Sequence, residues 1–328
     1  MRAIQIVAPG RFEVVELPRP APGPDEVLVE IQACNTCTHW DMTIWKGEDI
    51  FERPGHPRYP QDPGAPGHEW AGVVVACGPG ATRLAPGDHV ALWGSVPGQR
   101  RNVLGGYAEY VVMHQDAVVK AAPHLPFEEA AAQELLTCVA TSILRAGEVA
   151  GTRVGVSGLG PAGLLAVQAL KARGAAAVYA FDLLPARLEL ARSLGADTAI
   201  VPQSPAWESL RKDQLDVTID CSGAGQAISA ALKVTRGRVL VFGVPHGPID
   251  WGIDEWRRGV TLEGYGRRLR QAAGYAQHLL ATGQVKAGPL ISARLPFERY
   301  AEGVELLLRR EAIKVSFQPH LGRGTSGA

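Results

Sequence analysis

Cysteine is scarce in this chain: five in 328 residues, at positions 34, 37, 77, 138 and 221. They are too few and too scattered for a disulfide framework, which leaves metal binding or plain packing as their uses. An excess of charge of either sign is also missing. Thirty-three Lys and Arg balance thirty-three Asp and Glu, so no net field draws nucleic acid or an anionic membrane. No apolar run reaches bilayer-spanning length, and the start, MRAIQIVAPG, lacks a basic-then-apolar signal pattern. A cytoplasmic protein without nucleic-acid or membrane partners is expected. No internal repeat is found. What is present is an ordinary apolar share of 46% over a length sufficient for two domains.

The first third reads as short strands: AIQIV, FEVVEL and VLVEIQAC, then WAGVVVACG, DHVALWG and GYAEYVV, separated by Gly and Pro turns. Their spacing predicts an antiparallel, barrel-like domain. Between them, residues 35–67 read as a long polar loop containing Trp, Pro and Gly, of the kind that usually carries function. At Phe127 the period changes to helical in PFEEAAAQELLTCVATSILRAG. Strand and helix then alternate from TRVGVSG to VTLEGYG, which predicts a parallel sheet covered by helices, the doubly wound α/β class. Two further amphipathic helices, LRQAAGYAQHLLATG and FERYAEGVELLLRR, precede IKVSFQP, and the Gly- and Ser-rich end HLGRGTSGA is expected to fray.

The most informative stretch is V-G-V-S-G-L-G-P-A-G. An apolar strand runs into Gly158, Gly160 and Gly163, with Pro161 and Ala162 opening a helix, and a second apolar strand ends in Asp182. This is the order of a dinucleotide-binding βαβ unit. The glycines permit a tight turn, close backbone approach to a pyrophosphate and close helix–strand packing, and the phosphates lie on the helix N-terminus. Asp182 accepts hydrogen bonds from the ribose hydroxyls and repels a 2′-phosphate, so NAD is expected rather than NADP. Cys221 with Ser222 and Gly223, and Gly243 with Val244, follow the next strands at the ends where ligands bind.

Elsewhere stand Cys37, His68-Glu69 and Glu134. Taken singly they read equally well as a small buried group, a loop histidine and an acid favoured by a helix dipole. Spacing alone does not make them ligands. The surrounding motifs do more: QACNTC, PGHEWAGVV, RLAPGDHVAL, GGYAEYVV, LPFEEAAAQELL, GLGPAGLLAVQALKARGA and ARLELARSLGAD. Together they resemble the medium-chain dehydrogenase/reductase superfamily, in its zinc-dependent alcohol and polyol branch, including sorbitol and threonine dehydrogenase-like members. The likeness runs almost end to end.

That resemblance implies a GroES-like catalytic domain, residues 1–135 and 267–328, and a Rossmann NAD-binding domain, residues 136–266. It implies one catalytic zinc held by Cys37, His68 and Glu134, with Glu69 as an alternate ligand or as support behind the others. It implies no structural zinc, because the region after DHVAL lacks the four cysteines such a site needs. Arg187 would lie beside the adenosine and Lys314 at the pyrophosphate. The chain departs from the family's C-x-S/T-D: after Cys37 it reads Thr38-His39-Trp40-Asp41. Either His39 carries the substrate's proton, its ordinary pKa being suited to that, or it caps the loop. With one residue inserted, Asp41 takes the family's aspartate role. The implied reaction is hydride exchange between a secondary alcohol (a polyol, sugar or hydroxy/amino compound) and NAD, in a homodimer or homotetramer. The rivals are a zinc-free NADPH-dependent quinone or enoyl reductase, and a nucleotide-binding protein without turnover.

Overall fold

The computed structural model describes residues 1–52, 55–96, 105–210 and 215–321. Residues 97–104, within the region expected to lack a structural zinc, and the tail 322–328, expected to fray, lie outside the described residues. The chain divides into two compact units, Met1–Leu135 with Ala287–Ala328, and Leu136–Lys286.

The first unit begins with a hairpin, β1 (Arg2–Ala8) and β2 (Arg11–Glu16). Its main sheet comprises β3 (Glu26–Asn35), β4 (Glu69–Cys77), β5 (His89–Leu92), β6 (Tyr110–His114) and β7 (Val118–Lys120). The C-terminal β14 (Ile291–Leu295) and β15 (Lys314–Phe317) complete it. The order is β14-β15-β3-β4-β5-β7, with β6 also on β3, and every pairing is antiparallel except β14 with β15. Alternation in β3 buries Val27, Val29 and Ile31 in one core with Ile4, Ile6, Trp70 and Phe317, as strands with one face on a core require. The stretch read as a loop contains a helix, α1 (Thr38–Lys46), closed by Gly47 in the left-handed conformation. Its buried residues are Asp41, Ile44 and Trp45. A carboxylate occupies one core position, so the apolar period is broken and a 3.6-residue pattern is hidden.

A short helix, α2 (Phe127–Ala130), leads to α3 (Gln133–Arg145), which carries the chain into the second unit. There six strands are all parallel: β8 (Arg153–Ser157), β9 (Ala177–Phe181), β10 (Thr198–Ile200), β11 (Leu215–Asp220), β12 (Thr235–Val241) and β13 (Thr261–Gly264). Their order is β10-β9-β8-β11-β12-β13, reversing between β8 and β11, which is the doubly wound arrangement. The intervening helices are α4 (Pro161–Ala172), α5 (Pro185–Ser193), α6 (Pro205–Ser209), α7 (Gly225–Val234) and α8 (Ile253–Arg258). The next helix, α9 (Arg270–Ala281), expected in the first domain, belongs to the second unit, so the return crossing lies at Ala287 rather than at 267. Gln168 of α4 explains this. Its amide donates to the Lys286 carbonyl at 3.2 Å and its oxygen accepts the Lys286 N–H at 2.8 Å, tying the segment after α9 to α4. The last helix, α10 (Tyr300–Leu308), packs in the first unit.

Candidate active site

Three neighbouring strands build the site in the first unit. Where β3 ends at Asn35 the chain turns, and Cys37 caps the start of α1. Directly across from Asn35 stands Glu69, the first residue of β4, with His68 just before it. On the other side of β3, β15 pairs Ser316 with Asn35 and begins at Lys314. The donor atoms of Cys37, His68 and Glu69 all lie within 4.8 Å of one another. His68 Nδ1 is 2.7 Å from the Pro66 carbonyl, a backbone contact that makes Nδ1 the protonated nitrogen of a neutral ring and leaves Nε2 for a metal.

The electrostatics suit a cation. Burial alone would depress the His68 imidazole, but Cys37, Glu134 and Glu69 outweigh it and push its pKa up to about 10. The three groups together favour positive charge at one buried point, the condition a zinc ion meets with thiolate, imidazole and carboxylate donors. Glu134, near the start of α3 and buried, acts electrostatically on both His68 and Glu69. Burial pushes the Cys34 thiol well up, so of the C-x-x-C pair Cys37 alone stands among the candidate metal donors.

Asp41 supports this set in a way its place in the motif did not reveal. Its carboxylate accepts the Cys37 N–H at 2.8 Å, and the hydroxyls of Tyr107 and Tyr300, each also at 2.8 Å. Burial raises the Asp41 carboxyl, and these donors oppose the rise. No sequence signal marked either tyrosine. A hydrogen bond to a charged group contributes about 1.5–3 kcal/mol, so Tyr300→Phe is expected to lose roughly that much stability in denaturant unfolding. A loss below about 0.5 kcal/mol would remove Asp41 as an anchor.

His39 lies in the first turn of α1, with its ring 5.1 Å from Phe51. Its Nε2 is buried without a hydrogen-bond partner, and burial lowers its pKa. Trp40 packs edge-on against both Phe51 and His68. Lys314, expected at a pyrophosphate, is instead enclosed at 1% exposure in the first unit. Its Nζ donates to the Thr36 carbonyl and to Glu69 Oε2, both at 2.6 Å. The pairing of β15 with β3 delivers it there.

In the second unit, Gly158 takes φ +84°, and a Cβ there would lie 2.8 Å from the Ser222 backbone. At Gly163 a Cβ would strike the Gly158 carbonyl at 1.9 Å, so α4 packs close against the turn after β8. Around Gly160, which caps α4 with Pro161 and Ala162 following, a Cβ would meet nothing within 4 Å. That open space in front of a helix N-terminus fits a phosphate. Asp182 follows β9, and its two oxygens accept the N–H groups of Leu159 at 2.7 Å and Leu184 at 2.9 Å. Arg187 stands beside it, with its pKa lowered by burial against the pull of Asp182. Cys221 follows β11, and Gly243 and Val244, just after β12, meet the next residues, Ser222 and Gly223.

The first unit thus carries a candidate thiol–imidazole–carboxylate metal site, and the second is a doubly wound sheet with a glycine turn at a helix N-terminus. The chain matches the alcohol dehydrogenase GroES-like domain over residues 23–124 and the zinc-binding dehydrogenase family over residues 161–279. It is 31% identical over 343 residues to sorbitol dehydrogenase of Gallus gallus, covering 95% of both chains. It is also 31% identical over 338 residues to L-threonine 3-dehydrogenase of Caldanaerobacter subterraneus subsp. tengcongensis, covering 94% of this chain and 95% of that one. The fold superposes on galactitol-1-phosphate dehydrogenase from Escherichia coli with a TM-score of 0.83 and 26% identity, over 97% of this chain and 100% of the other. The chain belongs to the zinc-dependent alcohol and polyol dehydrogenases of the medium-chain dehydrogenase/reductase superfamily. It is an enzyme of that kind, a zinc-dependent alcohol/polyol oxidoreductase.

Proposed function

We propose that the chain interconverts a secondary alcohol (a polyol, sugar or hydroxy/amino compound) and its carbonyl form, with NAD as the hydride acceptor. The convergence of Cys37, His68 and Glu69 within 4.8 Å carries this reading, and Glu134 completes the ligand set, with Glu69 as its alternate. Bound zinc supplies Lewis acidity, lowering the pKa of an alcohol hydroxyl. The chain's own residues do the rest. Asp41 holds the Cys37 backbone, Pro66 orients the His68 ring, and Lys314 balances the charge of Glu69. His39 Nε2, which has no other partner, takes the hydroxyl proton outward.

One catalytic zinc and no structural zinc is the proposed content. Elemental analysis of protein purified without chelator is expected to give about one zinc per chain, with turnover of at least one member of a panel of secondary alcohols and polyols. Zinc-free protein that still turns over in chelator would defeat the reading in favour of a zinc-free reductase. His39→Asn is expected to lower kcat by about a hundredfold while zinc content stays the same. An unchanged kcat would return His39 to a packing role.

The preference for NAD rests on Asp182, whose charge opposes a 2′-phosphate. Asp182→Ala is expected to cut the ratio of kcat/KM for NAD over NADP by at least about tenfold, ~1.4 kcal/mol. Because Leu159 and Leu184 lose their acceptor too, affinity for both dinucleotides falls. An unchanged ratio would remove Asp182 as the discriminator. Among the described residues the cysteines form no disulfide, in keeping with a reducing, cytoplasmic setting, and no helix is long and apolar enough to cross a membrane. The edge strand β13 with its exposed Leu262, and the exposed Trp251, Ile253 and Trp256 on the segment leading into it, support a homodimer or homotetramer, to be checked by light scattering.

A further inference from the structure

The second unit contains a buried carboxylate that neither the glycine fingerprint nor the metal site uses. Asp220 is the last residue of β11 and is 0% exposed. Its register partners are Ser157 on β8 and Val241 on β12, so it lies at the point where the strand order reverses. Such a point, outside the C-terminal strand ends, is where doubly wound sheets bind ligands.

From there Asp220 ties three turns together. Oδ1 accepts the Ser222 hydroxyl at 2.6 Å and the Ser222 N–H at 3.3 Å, and Oδ2 accepts the Gly223 N–H at 2.8 Å. The Ser222 hydroxyl oxygen in turn accepts the N–H of Ala224, the residue that caps α7, at 3.1 Å. The Asp220 carbonyl accepts the N–H groups of Phe242 at 2.8 Å and Gly243 at 3.0 Å. On the β8 side, the Cys221 N–H donates to the Ser157 carbonyl at 2.7 Å, and the Ser157 hydroxyl also bonds to the carboxylate. These bonds hold the turns after β8, β11 and β12 in contact. A Cβ on Gly243 would fall 2.2 Å from the Gly223 nitrogen, and one on Gly158 would fall 2.8 Å from the Ser222 nitrogen.

We infer that Asp220 is a positioning residue for the pyridine nucleotide. It does not touch the coenzyme. Its carboxylate fixes the Ser222-Gly223 turn against the end of β8, the Gly158 and Gly243-Val244 turns pack on Ser222 and Gly223, and those turns form the floor of the nucleotide crevice. The warrant is that a buried carboxylate is retained at a cost and spends both oxygens on backbone and hydroxyl donors of the turns that line the crevice. The inference rests on the reading of this unit as the coenzyme domain.

The test compares two carboxylates on one strand. Asp216, the second residue of β11, accepts the Arg153 N–H at 2.8 Å and pairs with Arg236. It lies at the end of β11 opposite the crevice. Asp220→Asn replaces one acceptor with a donor that faces the Gly223 or Ser222 donors, whereas Asp216→Asn loosens the same strand without touching those turns. NADH binding is followed by dinucleotide fluorescence, alongside KM, kcat and melting temperature. Asp220→Asn is expected to weaken NADH binding and raise the NAD KM by about tenfold or more, with kcat at saturating NAD within about threefold of wild type. Asp216→Asn is expected to lower the melting temperature and leave NADH affinity within twofold of wild type. Ser222→Ala, which removes the hydroxyl's bonds to Asp220 and Ala224 and leaves the carboxylate in place, is expected to weaken NADH binding by a few-fold.

Unchanged NADH affinity in both Asp220→Asn and Ser222→Ala would overturn the inference. So would an equal loss in Asp216→Asn, since the effect would then be that of a loosened strand. Wild-type protein that binds neither NADH nor NADPH would defeat the coenzyme reading itself, a result distinct from either.

Discussion

Cys37→Ser is expected to empty the metal site and abolish turnover. The sulfur is the softest donor in the Cys37–His68–Glu69 set, and a serine hydroxyl stays protonated where a thiol ionises on zinc. The substitution should spare the fold. Cys37 caps α1 with an extended backbone and makes no side-chain capping bond, and serine is a preferred residue at that place. Zinc should fall from about one per chain to near none. The rate should fall by at least about a thousandfold, ~4 kcal/mol, because the Lewis acid contributes several kcal/mol to the transition state. NADH binding, which depends on the second unit, should persist. A variant with full zinc and wild-type kcat/KM would place the metal on other residues.

Lys314→Met is expected to have the largest effect on stability. Lys314 and Glu69 are 1% exposed each and meet at 2.6 Å. Removing the ammonium leaves a buried carboxylate without its counter-charge, which costs about 3–5 kcal/mol. For a chain of this size the zinc-loaded protein should melt lower by on the order of 10 °C. The double variant Glu69→Gln/Lys314→Met should recover part of the loss, because the cost comes from the orphaned charge rather than from the missing bond. A single variant within 1 kcal/mol of wild type would mean that Glu69 is neutralised by something else.

These two residues mark what could be read along the chain. Cys37 stands in a short motif beside the end of a strand, and PGHEWAG and GLGPAG are likewise contiguous, so their residue types and order carried the ligand and nucleotide readings. Lys314 lies in an ordinary strand-like IKVSF, and only the family resemblance placed it at a pyrophosphate. Its placement beside Glu69 depends on β15 pairing with β3, and no local pattern encodes that pairing. Helix α1 was hidden for a related reason. Asp41 occupies a core position that a helical pattern would fill with an apolar side chain, and the tyrosines that make this tolerable come from elsewhere in the chain.

Local periodicity and glycine placement were enough to read a strand-rich first part, a doubly wound second part and a glycine turn with an acid after the next strand. Backbone sterics and hydrogen bonding act over a few residues, so such features survive in a linear reading. The tertiary structure alone decided how the site is held. Asp41 meets Tyr107 across 66 residues and Tyr300 across 259, and Glu69 meets Lys314 across 245. Buried polar groups must find partners wherever the fold supplies them, and which partners those are follows from strand order, a property of the folded chain that no short stretch contains.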